Sequence, residues 1–151
     1  MALPDFRVAK TQSGNSAEVR SHTLDSGSAA VTVGQVVGLA ADGEVTASGD
    51  APAVAYGVAA SNGTPGGTIL IYPFTEDIVF SARVVAGAYA TDAQQGDLVD
   101  LDLTAGVYGL ALNESTDDLF EVYGNDTTDS GRVLVIGSAA NSQARNSVTR
   151  L

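Results

Sequence analysis

The chain has no cysteine and no tryptophan, and only one histidine, one methionine and one lysine. Without cysteine it forms neither a disulfide nor a thiolate nucleophile, so composition carries no record of redox compartment. One imidazole, His22, and no thiol exclude a zinc or iron site of nitrogen and sulfur ligands within a single chain. A nucleophilic triad is also poorly provided for, because no Gly-x-Ser-x-Gly turn occurs and His22 lies in a polar N-terminal stretch. A Ser–Lys pair would have to use Lys10, in the same stretch. No phosphate loop is present: Gly63-Thr64-Pro65-Gly66-Gly67 lacks a following lysine and helix. Long apolar runs are missing, and nothing approaches the about 18 residues of a membrane-spanning helix. Met1 to Lys10 mixes Pro4, Asp5, Arg7 and Lys10 where an export signal would carry basic and then apolar residues. The expectation is a soluble protein made without a classical export signal.

Basic charge is also scarce. Seven Lys and Arg stand against eighteen Asp and Glu, for a net charge of −11. That balance argues against nucleic acid or an anionic membrane as partner. Its distribution is uneven: between Val84 and Gly131 there are ten acids and no base. Arg132, Arg145 and Arg150 follow with no acid, and Arg7, Lys10 and Arg20 mark the other end. An acidic body with mildly basic ends is the result.

What the chain does have is turns and short strands. Seventeen glycines and 44 % hydrophobic residues, many of them Ala and Val, in 151 residues point to one all-β domain. Residues 1–28 are small and polar and read as an extended N-terminal arm. The β domain is expected over 29–137, with a polar C-terminal tail over 138–151. Within the body, Val31, Val33, Val37 and Leu39 share one parity, and Asp42-Gly43 is a hairpin signal. Val54–Ala60 is a strand of small residues, tolerable where another backbone packs closely. Strands are further expected at 45–47, 68–72, 78–85, 99–103, 107–112, 119–123 and 132–136, with a helical turn or loose connection over 86–95. About nine or ten short strands at this spacing predict a compact sandwich or small barrel.

One pattern occurs twice. Gly34-Gln35-Val36-Val37 leads through Asp42-Gly43 to Tyr56-Gly57-Val58-Ala59 and then Thr68-Ile69-Leu70-Ile71-Tyr72. Gly96-Asp97-Leu98-Val99 leads through Ala105-Gly106 to Tyr108-Gly109-Leu110-Ala111 and then Leu119-Phe120-Glu121-Val122-Tyr123. The shared order suggests a duplicated β module.

Carboxylates are the remaining source of chemistry. Asp100 and Asp102 lie on one face of a strand, roughly 7 Å apart at about 3.4 Å per residue, within the spread used in glycoside hydrolysis. Their alternation with Val99, Leu101 and Leu103 reads equally as the wet face of a half-buried strand. Asp97, Asp100 and Asp102, or Asn125, Asp126 and Asp129, offer hard oxygen ligands to calcium without matching a helix-flanked loop. Three Asn-x-Ser/Thr triplets, at Asn62, Asn113 and Asn125, coincide with turns. No catalytic, cofactor or metal residue is assigned.

The Gly-Gln-Val-Val and Gly-Asp-Leu-Val strings, each followed by a Tyr-Gly strand, make residues 29–137 resemble the capsid decoration (cement) proteins of tailed bacteriophages. The resemblance implies a virion structural protein, made in the host cytoplasm, that binds the outside of an expanded head and stabilises contacts between major capsid subunits. It implies no enzymatic activity and no cofactor, with the major capsid protein as partner and a homo-oligomer, a trimer, as the assembly. On that reading Phe6, Arg7, Val8 and Lys10, with Arg145 and Arg150, are the capsid-contact candidates. The alternative is a recognition module, a tail or fibre domain or surface carbohydrate binder, for which nine aromatics without tryptophan are a sparse supply.

Overall fold

A computed structural model describes residues 3–145; Arg150 lies outside the described residues. Among these there are eleven strands and one helical turn. The strands are β1 (Phe6–Thr11), β2 (Arg20–Thr23), β3 (Val36–Leu39), β4 (Val45–Ala47), β5 (Gly57–Ala59), β6 (Thr68–Pro73), β7 (Ile78–Ala86), β8 (Leu98–Thr104), β9 (Val107–Ala111), β10 (Phe120–Asn125) and β11 (Arg132–Gly137). The helical turn, α1 (Tyr89–Asp92), falls within 86–95, where a helical turn or loose connection was expected. The all-β reading therefore holds.

Two modules share one topology. The first runs in spatial order β2-β6-β5-β3-β4, the second β7-β11-β10-β8-β9. In chain order within each module, both read first, fifth, fourth, second, third. All neighbours are antiparallel, and in each module a parallel contact links the first strand, or the residue just past it, to the third. In the second module β7 pairs with β9 and makes a closed five-stranded barrel, which removes its sheet edges. In the first only the bridge Leu24–Val45 joins the ends, leaving a half-barrel.

The pairing registers correspond residue by residue. Val36 and Val37 face Val58 and Gly57, as Leu98 and Val99 face Glu121 and Phe120. Leu24 meets Val45 where Val84 meets Leu110. The turns entering β3 and β8 correspond too. Gly34 and Gly96 both have φ +92, and the side chain of the next residue accepts a backbone N–H in each: Gln35 from Thr32 at 3.0 Å, Asp97 from Gln94 at 2.9 Å. A φ in that range favours glycine, as in the third position of a type II turn.

The duplication is real, but the sequence alignment slips after the first hairpin. Gly57 corresponds to Phe120, not to Gly109. Tyr108-Gly109 belongs to β9, the counterpart of β4. The glycines of both Tyr-Gly pairs are needed for a local reason. A Cβ at Gly57 would lie 2.6 Å from Ile71 Cγ2, and one at Gly109 would strike the Val85 side chain.

Two apolar clusters follow. One fills the half-barrel with Leu24, Val37, Leu39, Val45, Ile69 and Ile71. The other runs from inside the closed barrel, through Phe6 and Phe74, to Val36 and Val58 on the back of the first module's sheet. Where β7 turns Phe80 and Ala82 inward, β2 presents Arg20 and His22. That polar substitution explains why β2 carries no apolar signal.

The expected boundaries are corrected at both ends. The folded body starts by Phe6 rather than Ala29, because β1 pairs with β7 and β2 with β6. It also continues past residue 137. Gln143 spans β3, accepting from Leu39 N–H at 2.8 Å and donating to Leu39 C=O at 2.9 Å. Ser142 donates to Phe74 C=O at 2.5 Å. A short polar segment gives no sequence sign of such docking, since it contributes hydrogen bonds rather than an apolar stripe.

Candidate functional site

The capsid-contact candidates within the described residues lie along β1 and its far end. Phe6 is 1 % exposed, with its ring 5.5 Å from Phe120 and 6.2 Å from Phe74. It is a core residue and cannot face a partner in this fold, which corrects the expectation. Period-two strands place Val8 on the same side, half-buried against the same cluster.

Arg7 points the other way, into a charged network. Its guanidinium pairs with Asp129 and lies 3.4 Å from Asp126. Asp126 also accepts from Ser81 Oγ at 2.5 Å and from the N–H groups of Thr128 and Asp129. Burial pushes the Asp126 pKa up, but the Ser81 hydroxyl, those two N–H groups and Arg7 outweigh it and hold the pKa below its ordinary value. Behind it, buried Arg132 donates to Ser81 Oγ at 2.9 Å and to the carbonyls of Pro4, Asp5 and Ser81 at 2.8, 3.0 and 2.8 Å. Arg83 adds a bond to Leu3 C=O at 3.1 Å and a 3.0 Å ion pair with Asp5. The start of the chain is thus fixed by arginines donating to its backbone.

Lys10 is exposed, with Nζ 4.6 Å from the Tyr123 ring centroid. Arg145 donates to Gly137 C=O at 2.8 Å and pairs with Glu76 at 3.2 Å. Gln12, just after β1, donates to Glu76 C=O, so Arg145 joins the same band through Glu76. Lys10 is the candidate best placed to meet a partner; Arg7 and Arg145 are each paired with acids of the same chain.

Of the two carboxylates weighed as a source of chemistry, Asp100 is spent on the fold. Asp100 is 2 % exposed and accepts the N–H groups of Thr116, Asp117 and Asp118 at 3.0, 3.0 and 2.8 Å. It organises the loop before β10, so Asp100 itself is covered, although Leu98 on the same face is exposed. Asp102, on the same face, has its pKa pushed up by burial and by Asp50 and Asp100. Asp117 is raised by burial, then Asp100 and Asp118. Glu114 is raised chiefly by Asp102 and is exposed. These acids crowd one open end of the closed barrel. Asp97, Asp100 and Asp102 do not bring their ligand oxygens together among the described residues, and Asp126 and Asp129 both face the Arg7 guanidinium. The ligand oxygens of Asp25, Asp42 and Glu44, by contrast, come within 4.8 Å of one another. Asp25 and Asp42 there each accept a neighbouring backbone N–H, which accounts for their place in turns.

His22 is engaged at both ring nitrogens. Nδ1 lies 3.1 Å from Gly43 C=O, an acceptor only, so it carries the proton; Nε2 then accepts from Tyr56 Oη at 2.8 Å. Arg20 donates to the same phenol at 3.2 Å. The imidazole ties β2 to the β3–β4 turn.

Sequence reasoning missed one feature, an open groove of about 600 Å³ beside the turn that enters β8. Gly96, Asp97 and Leu98 form part of its wall, with Asp92, Glu114 and Asp118. Leu98 is 40 % exposed and shares its face of β8 with Asp100 and Asp102. Aligning the two copies would have located this position but not its exposure.

In comparisons with known proteins, no family model matches this chain and no curated protein is found to be similar in sequence.

Proposed function

We propose that this protein is a non-enzymatic virion component that binds the outside of an expanded phage head and braces neighbouring major capsid subunits. The observation that carries this reading is that both chain ends stitch two β modules into one braced unit. β1 adds to the second module while Phe6 N–H bonds Gly34 C=O of the first at 3.1 Å. Ser142 and Gln143 reach back to Phe74 and Leu39. Polar groups that could serve catalysis (Asp100, Asp126, Arg132, His22) are committed to backbone or neighbouring side chains. A rigid unit with little reserve of reactive groups suits adhesion, and many weak copies on a lattice supply avidity. A net charge of −11 keeps decorated particles apart.

The test is direct. Purified protein is added to expanded heads and to compact precursors, and bound copies are counted after sedimentation. Saturable binding to expanded heads, with rupture moved to higher temperature, is expected. Heads that break at the same temperature with and without the protein would refute the reading.

A further inference from the structure

The duplication exposes an asymmetry. In the first module the Gly34 turn is buried beneath the start of the chain. A Cβ on Gly34 would strike the Pro4 side chain and lie 3.0 Å from Phe6 C=O, and Gly34 C=O receives the Phe6 N–H at 3.1 Å. Val36, two residues on, is fully buried in the cluster that contains Phe6. The Pro4–Phe6 segment therefore covers this site.

In the second module the equivalent site is bare. Gly96 has the same φ of +92, is exposed, and a Cβ there would meet nothing within 4 Å. Leu98, the counterpart of Val36, is 40 % exposed where Val36 is 0 %. The groove of about 600 Å³ occupies the place that the chain fills in the first module. Its charged lining residues are acidic (Asp92, Asp97, Glu114 and Asp118), and Asp118 Oδ1 has no hydrogen-bond donor among the described residues.

We propose that the Gly96–Leu98 groove docks an extended segment of a partner protein that presents an apolar residue flanked by lysine or arginine. The apolar side chain would pack on Leu98 as the Phe6 cluster covers Val36, and a backbone N–H would bond Gly96 C=O as Phe6 N–H bonds Gly34 C=O. Charge chooses the partner: a second copy of a chain with net charge −11 is repelled by four carboxylates, whereas a basic strand is attracted. The proposal does not depend on the partner being a capsid subunit.

The full chain, isotopically labelled, is titrated with the peptide Arg-Pro-Lys-Phe-Arg-Val and with its acidic counterpart Glu-Pro-Asp-Phe-Glu-Val. Saturable amide shifts confined to residues 96–98 and 112–118 are expected with the basic peptide alone, weakening as salt is raised. Leu98→Asp is expected to weaken binding about tenfold. Exposed Glu114→Lys, which leaves packing untouched, should weaken it in the same direction. Equal binding of both peptides, shifts spread over Asp25, Asp42 and Glu44, or no saturable change would overturn the assignment. So would self-association that Leu98→Asp abolishes, since the groove would then belong to a second copy. If head binding persists in a variant that has lost peptide binding, the groove and the head contact are separate.

Discussion

Phe6→Ala separates the two roles open to the start of the chain. An exposed contact residue can be truncated with little effect on stability, whereas a core ring cannot. Phe6 is 1 % exposed and packs on Phe74 and Phe120, bridging the closed barrel and the back of the first module. Removing a buried phenylalanine costs about 3–5 kcal/mol, combining lost transfer energy with the cavity left behind. The upper half of that range is expected here, because each aromatic pair adds roughly 0.5–1.5 kcal/mol beyond burial. Collapse is also hindered, since Arg132 and Arg83 hold the flanking backbone from Leu3 to Asp5. For a chain of this size about 2–4 °C is lost per kcal/mol, so a fall in Tm of roughly 10–15 °C is expected by calorimetry. Lys10→Ala, at an exposed position on the same strand, should change stability by no more than about 0.5 kcal/mol. If Phe6→Ala melts within about 2 °C of the parent protein, the core placement fails and Phe6 returns to the contact candidates.

Asp100→Asn leaves one oxygen to receive three N–H groups and turns an amide donor toward them, so a loss of about 2–3 kcal/mol is expected in urea unfolding. Hydrogen exchange at Thr116, Asp117 and Asp118 should quicken; unchanged exchange there would contradict the role given to Asp100. Alanine at Gly96 carries only backbone strain, about 1–2 kcal/mol, while alanine at Gly34 adds overlap with Pro4 worth roughly 1–3 kcal/mol more. Equal destabilisation by the two would sink the correspondence between the sites. Acid titration should have two parts. Asp102, Glu114 and Asp117 have raised pKa values when folded, so the folded state holds more protons and stability increases as pH falls toward their ordinary values of 3.8 to 4.5. Asp126 is lowered, so its contribution is complete above 3.8 and is lost as pH falls further through its folded value. Asp126→Asn should remove the second part alone, as read by Tm against pH.

Much of the architecture was legible in the chain. Strands with an apolar face, such as Val99, Leu101 and Leu103 on β8, announced themselves through period two, as did the Asp42-Gly43 turn through its need for positive φ. β2 was invisible because Arg20 and His22 occupy positions that Phe80 and Ala82 fill in the second module. The alignment of the two copies slipped at Gly57 because its true counterpart is a phenylalanine, which shares neither size nor backbone preference.

Composition and local spacing determined that the chain is all β, acidic, and poor in nucleophiles and soft metal ligands, since these properties depend on residue type and on neighbours along the backbone. Tertiary structure decided everything that depends on which strand lies beside which. It turned Phe6 inward, closed Asp100 under a loop and placed Arg132 behind the first residues. It also covered Gly34 while leaving Gly96 bare. The physical reason is that burial and hydrogen-bond partnership are properties of long-range pairing. Two stretches with the same local preferences can fold alike and still meet different surroundings.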